Sequence, residues 1–299
     1  EIVDCDWSSD VCSSDLLTDE RSAHINKLKG DLHTVFPQYL DVFCDVTGKT
    51  STMILRQYGT PDKILRGHKK TMIEKISKAS RKGLAKASER YEKLCAAANA
   101  AKTFGCQIDS IYFNIFLTLD LVEKLDSALD SILNRIRQLI TFNKNEKFIQ
   151  QIKLLNTIPG VGFLTAVTIM CEIGDFSAFR NPKQLFAYFG LDPEVNESGK
   201  FVGTQLHMSK RGSRIARRAI FAVALASIRT KRNGEGINPY LRKYYELKSG
   251  QKPKMVAIGA VMHKVCNIVF AVLRDEKAFE LRSPEEHCKQ YQRPALAAA

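Results

Sequence analysis

Apolar residues recur at helical spacing along most of this chain. Between Leu17 and Phe43, the positions Ile25, Leu28, Leu32, Val35 and Phe36 fall on one face, which predicts a helix ending near Pro37. Shorter helical pieces follow, punctuated by Gly48, Gly59 to Pro61, Gly67 and Gly83. Thr60 to Leu65, TPDKIL, reads as a cap, a proline in the first turn, and then helix. Ser88 to Lys102 is alanine-rich and helical. The pattern then changes period. Ile108, Ile115, Val122, Leu129 and Ile136 take one heptad position, and Ile111, Thr118, Leu125, Ile132 and Leu139 take the facing one. Nine of these ten seam positions are apolar, which predicts a long coiled-coil helix, although an amphipathic helix of a compact bundle reads the same way.

After Lys153 the helical pattern runs through LLNTIPGVGFLTAVTIMCEIGDFSAF and NPKQLFAYFGLDP. It breaks in a polar, glycine-containing stretch, resumes from Ser209 to Arg232, and ends in a helix from about Lys254 to Arg274. Nothing reads as a sheet of any size. The predicted fold class is mainly α: a helical region (17–105), a long coiled-coil helix (106–150), and a compact helical C-terminal domain with a helix-hairpin-helix-like turn (151–282). A frayed tail is expected over 283–299.

Composition narrows the class. Apolar residues make up 44% of 299 positions, enough for a folded core. The eight cysteines include no C-x-x-C pair, which fits reduced thiols and argues against a zinc site or a disulfide framework. No uninterrupted apolar run reaches the roughly 18 residues of a membrane span, and no basic-then-apolar leader opens the chain. A cytoplasmic protein, not a membrane one, is therefore expected. Charge says more. The formal net charge is +13, and residues 199–254 hold fourteen Lys/Arg against Glu235 and Glu246. So one-sided a stretch repels itself unless something offsets it, and phosphates are the common answer.

Two stretches could carry chemistry. In IPGVG, Ile158 to Gly162, the glycines Gly160 and Gly162 would let the backbone approach a phosphate with the next helix's amides aimed at it. An ordinary tight turn between helices fits the same residues. The second stretch, NESGKFVGTQLHMSKRGSRIARRAI, presents Lys200, Ser209, Lys210, Arg211, Arg214, Arg217 and Arg218. Arg214, Arg217 and Arg218 share one helix face, and with Lys210 and Arg211 they suit a phosphodiester. Ser198 precedes a glycine in this stretch. On its own it reads as a turn residue, because a lone hydroxyl needs a base, a metal or strong electrostatic help to attack phosphorus. His207 lies nearby without an informative companion.

Taken together, LLNTIPGVGFLTAVTIMCEIGDFSAF, QLFAYFGLDP, ESGK and MSKRGSRIARRAIF, in that order, resemble the C-terminal domain of insertion-sequence 110 family transposases. The resemblance covers about Leu17 to Phe279. It implies a DNA recombinase guided by a structured bridge RNA, built from an RuvC-like domain with an Asp-Glu-Asp-Asp quartet that binds Mg²⁺, a coiled coil, and this C-terminal domain. It places the family's nucleophilic serine on Ser198, in its ESG context. It also implies DNA and guide RNA as partners and a homo-oligomer through the coiled coil. None of the four acids can be matched here, so no metal ligand is assigned, and the chain alone is expected to bind nucleic acid without recombining it. A non-catalytic coiled-coil DNA-binding protein, or an RNA-binding accessory protein, shares the charge signature.

The first sixteen residues stand apart. EIVDCDWSSDVCSSDL is acidic and holds the only tryptophan. DWSSDVCSSDL back-translates to a common short-read sequencing adapter, so residues 1–16 are expected to be translated adapter joined to a gene fragment at about Leu17. Without its five acids the chain carries +18.

Overall fold

The structure is a computed structural model. It describes residues 6–104, 108–143, 145–194, 197–198, 201–202, 208–283 and 285–286. The chain divides into two compact units, residues 13–135 and residues 136–299 with 1–12. It is mainly α, as the periodicity predicts.

Seven helices build the first unit: α1 (Asp6–Val35), α2 (Tyr39–Val42), α3 (Lys49–Gln57), α4 (Pro61–Arg66), α5 (Lys69–Ser80), α6 (Leu84–Phe104) and α7 (Asp109–Thr141). The predicted stripe on α1 is the buried one: Leu28, Leu32, Val35 and Phe36 have no exposed surface and join Ile54, Ile64, Met72, Ile76 and Leu94 in one core. Thr60 caps α4 by accepting a hydrogen bond from Lys63 N at 3.4 Å, with Pro61 in the first turn. Tyr39 is fully buried, and its hydroxyl lies 3.1 Å from Ser51 O and 2.9 Å from Ser51 Oγ. Burial pushes the phenol's pKa far up, against the smaller opposing effect of the Ser51 hydrogen bond.

α7 is a single helix of 33 residues, and the middle of its heptad face points inward. Ile115, Thr118 and Val122 are buried. Tyr112 Oη donates to Val35 O at 3.4 Å and Arg21 pairs with Asp126. The contacts step fourteen residues backward on α1 and fourteen forward on α7, so the two helices run antiparallel. Arg56 of α3 braces the same helix through Asp120 (2.7 Å) and Glu123 (2.8 Å). α1 is continuous from Asp6, with no break at Leu17.

The second unit contains α8 (Glu146–Leu155), α9 (Phe163–Ile173), a 3-10 turn (Phe176–Ala178), α10 (Pro182–Phe189), α11 (Arg214–Ile228), α12 (Pro239–Ser249) and α13 (Lys254–Asp275). Two boundaries differ from the sequence reading. The helix expected from Ser209 begins at Arg214, because Ser213 Oγ caps it by accepting from Ala216 N at 3.0 Å while Ser209 to Gly212 are committed to backbone pairing described below. α12 was not anticipated. Its signal is Asn238–Pro239, with Asn238 Oδ1 accepting from Leu241 N at 3.1 Å, the arrangement Asn181–Pro182 uses to start α10.

Among the described residues, α13 is the longest helix of this unit. Across its 22 residues it is apolar enough, by length and composition, to cross a membrane. His263, Lys264 and Asn267 interrupt the strict apolar run that a residue-by-residue reading looks for. Ala257, Val261, Val265, Cys266 and Val269 are nonetheless at most 1% exposed inside this unit, so α13 is its core helix. Among the described residues, one small ladder pairs β1 (Glu197–Ser198) antiparallel with β2 (Phe201–Val202).

Candidate nucleic-acid interface

The PGVG turn joins α8 to α9. Ile158 and Val161 point into the core, and Val161 N donates to Ile158 O at 3.0 Å. Gly160 has φ +97°, and a Cβ there would lie 2.8 Å from Ser227 Oγ and 3.0 Å from Ser227 N. Ser227 Oγ in turn donates to Pro159 O at 2.9 Å. Gly160 thus lets the turn close onto α11. Gly162 differs: it precedes α9 as N-cap, and a Cβ there would meet nothing within 4 Å. Of the two glycines, only Gly162 leaves an open approach to the first amides of a helix.

Residues 188–193 and 208–213 form a backbone clamp. Ser209 N donates to Asp192 O (2.8 Å), Lys210 N to Gly190 O (3.1 Å) and Ser213 N to Tyr188 O (3.2 Å), and Pro193 bridges Met208. The strands of the clamp approach so closely that a Cβ on Gly212 would sit 1.9 Å from Tyr188 O. Side chains fasten it: Ser209 Oγ donates to Asp192 Oδ1 at 2.6 Å, Ser213 Oγ donates to Glu172 of α9, and Arg217 Nη1 donates to Phe189 O at 3.0 Å. His263 of α13 sits 2.9 Å from Leu191 O through Nε2 and packs edge-on against Phe186.

Beyond this clamp the chain turns back through the β1–β2 ladder, with Glu197 opposite Val202 and Ser198 opposite Phe201. Ser198 thus lies in a two-residue antiparallel ladder that falls, in sequence, between Pro193 and Met208 of the clamp. Lys200 and His207 lie outside the described residues.

The five cations of the cluster separate into two groups. Lys210, Arg211 and Arg214 are exposed. Arg217 and Arg218 are half-buried, and Arg217 also faces Gly212 O and Ser213 O at 3.4 and 3.5 Å. Lys210 has φ +54°, a left-handed conformation uncommon for a side chain of this size. No acid lies in the first turn of α11, so its positive dipole end adds to the exposed cations. That end of the unit is suited to holding a phosphodiester.

Two carboxylates escaped the sequence reading. Glu172 and Asp192 lie 41 and 17 residues from the serines they bind. No local spacing announces them; only the fold brings them there. Among the described residues no group of three His, Cys, Asp or Glu could hold a metal ion. The described residues therefore offer no ligand set for the divalent ion that the resemblance implies.

The sequence model described as the transposase IS116/IS110/IS902 family matches residues 152–246, which contain the PGVG turn, the clamp and the cation cluster. The chain is 30% identical over 177 residues to the pilin gene-inverting protein of Moraxella bovis, covering 59% of this chain and 52% of that one. It is 24% identical over 235 residues to the uncharacterized 43.6 kDa protein of insertion element IS110 from Streptomyces coelicolor (78% and 54%). It is 26% identical over 188 residues to the transposase for insertion sequence element IS1111A of Coxiella burnetii (61% and 50%). The chain spans about half the length of these curated relatives. The segment that holds the turn, the clamp and the cation cluster is thus similar to IS116/IS110/IS902 family transposases, and the relatives extend that similarity over 59% to 78% of the chain.

Proposed function

We propose that this chain is the DNA-gripping and nucleophile-bearing part of an insertion-sequence transposase, with Ser198 attacking a DNA phosphodiester. The observation that carries the reading is the ladder that holds Ser198, which falls in sequence between the two halves of a clamp whose second half carries Lys210 and Arg211 and leads into Arg214. These cations would hold the phosphates flanking the scissile one and favour the charge that builds on its oxygens. The serine oxygen would bond to phosphorus as the bond to the leaving strand breaks, and the hydroxyl proton would leave with the solvent or a base. Mg²⁺, in this reading, would be held by an RuvC-like acidic domain, and would supply charge neutralisation there. Guide RNA would select the DNA. Bacterial cytoplasm, where the chromosome lies, is the setting this requires.

Ser198→Ala in the complete transposase tests this directly. It should abolish the covalent protein–DNA link while leaving DNA affinity within about twofold, since one hydroxyl adds little to a charge-dominated contact. A link that survives the substitution moves the nucleophile elsewhere, first to Ser209 or Ser213. Strand exchange by the present chain alone would refute the division of labour.

A further inference from the structure

The first unit carries a second strongly basic surface, well outside the matched transposase segment. Residues 63–93 hold eleven Lys/Arg against Glu74, Glu89 and Glu92, a higher charge density than the 199–254 stretch. Ten of the eleven are exposed, and the eleventh, Arg90, is half-buried. On α6 the positions Lys86, Arg90 and Lys93 recur at helical spacing on one face, and Lys82 precedes them in the α5–α6 turn. Together with Asp41 and Glu89 they line a cavity of about 230 Å³. Four cations face two carboxylates there, and Glu89 is already engaged by Lys93 at 2.8 Å.

Aromatic rings decide what sort of nucleic acid fits. Bases of a single strand need open ring faces to stack on. Here the rings are taken: Lys69 lies over Tyr91 (5.8 Å), Lys75 over Tyr58 (5.7 Å) and Arg90 over Phe43 (5.6 Å). What the surface offers outward is a row of ammonium groups and no stacking platform, which suits the backbone of a duplex and reads no sequence. From residue 82 to residue 93 the row covers about 16 Å at 1.5 Å per residue, or roughly five base-pair steps at 3.4 Å.

We propose that the face of α6 bearing Lys82, Lys86 and Lys93 is a second, sequence-independent docking surface for duplex DNA, engaging phosphates away from the reacting one. The inference rests on the transposase reading only for its choice of DNA as the polyanion.

The test is the salt dependence of affinity of the purified chain for a 30-base-pair DNA duplex. Each phosphate contact contributes about 0.9 to the slope of log K against log salt. K82Q/K86Q/K93Q, with three exposed lysines changed, should lower that slope by roughly 2 to 3 and leave the melting temperature unchanged. K27Q/K29Q/K124Q, an equal charge change on α1 and α7, should lower it by less than about 1. Equal losses from both sets would show a net-charge effect and overturn the inference. So would an α6 effect seen on an RNA duplex of the same length but not on DNA. R211Q/R214Q separates the two proposals. If that pair lowers the slope and the α6 set does not, the docking surface falls and the transposase reading stands. If neither set matters and DNA is not bound, both fall together.

Discussion

Gly212 shows how much of this site depends on single atoms. A methyl group there would occupy the space of Tyr188 O, at 1.9 Å, and neither backbone strand of the clamp can yield. Gly212→Ala should therefore cost more than about 3 kcal/mol in urea unfolding, among the larger effects of a point change. A cost under about 1 kcal/mol would mean that the strands are farther apart than described. Arg217 and Arg214 make a sharper pair, because the sequence gives them the same role. Arg214 is exposed, so Arg214→Gln should lower the salt slope of DNA binding by about 1 and leave stability alone. Arg217 ties Nη1 to Phe189 O, so Arg217→Gln should lower stability by about 1 to 3 kcal/mol through the carbonyl left without its donor. Helical spacing alone could group these guanidiniums; it could not say that one of them turns back onto the clamp. The same holds for Glu172 and Asp192, whose partners are distant in sequence.

Elements were legible wherever one segment carries its own signal. Thr60–Pro61 starts α4, and the stripe from Leu28 to Phe36 forms the buried face of α1. Along the heptad seam of α7, Ile115, Thr118, Val122 and Ile136 are buried, Ile111, Leu125, Leu129, Ile132 and Leu139 are half-buried, and Ile108 is exposed. Outside the seam, Phe113, Leu117 and Leu121 are 63%, 45% and 43% exposed. Sequence periodicity cannot tell a partner helix of the same chain from one of another copy. The β1–β2 ladder was not legible either, since two residues per strand leave no alternation to read. Between α9 and α10, Asp175 closes the 3-10 turn by accepting from Ser177 Oγ at 2.6 Å and Ser177 N at 2.9 Å. The Ser177 side chain, then its backbone, hold the Asp175 carboxyl below the usual carboxylate range. A depressed folded-state value gives a stability contribution that is present above the ordinary aspartate pKa and is lost as pH falls through the lowered one. Asp175→Asn should accordingly flatten the acid limb of the stability curve below about pH 4 and leave its neutral region parallel to wild type. An unchanged acid limb would assign that limb to other carboxyls.

For the molecule as a whole, a net charge of +13 is concentrated in two places, residues 63–93 and residues 199–254, one in each compact unit. The second was read from the sequence because motifs drew attention to it; the first was passed over because it has none, although counting charges would have found it. The resemblance to insertion-sequence transposases likewise rests on several motifs in order rather than on any single one. The nucleophile is the finest claim and the most exposed to test. Its most direct measurement is mass spectrometry of the covalent protein–DNA species trapped from the complete transposase on a nicked or otherwise irreversible substrate. The account predicts a nucleotide carried on the peptide containing Ser198, and no adduct in Ser198→Ala. A nucleotide found on Ser209, Ser213 or any other residue, or a Ser198→Ala protein that still forms the link, would contradict it.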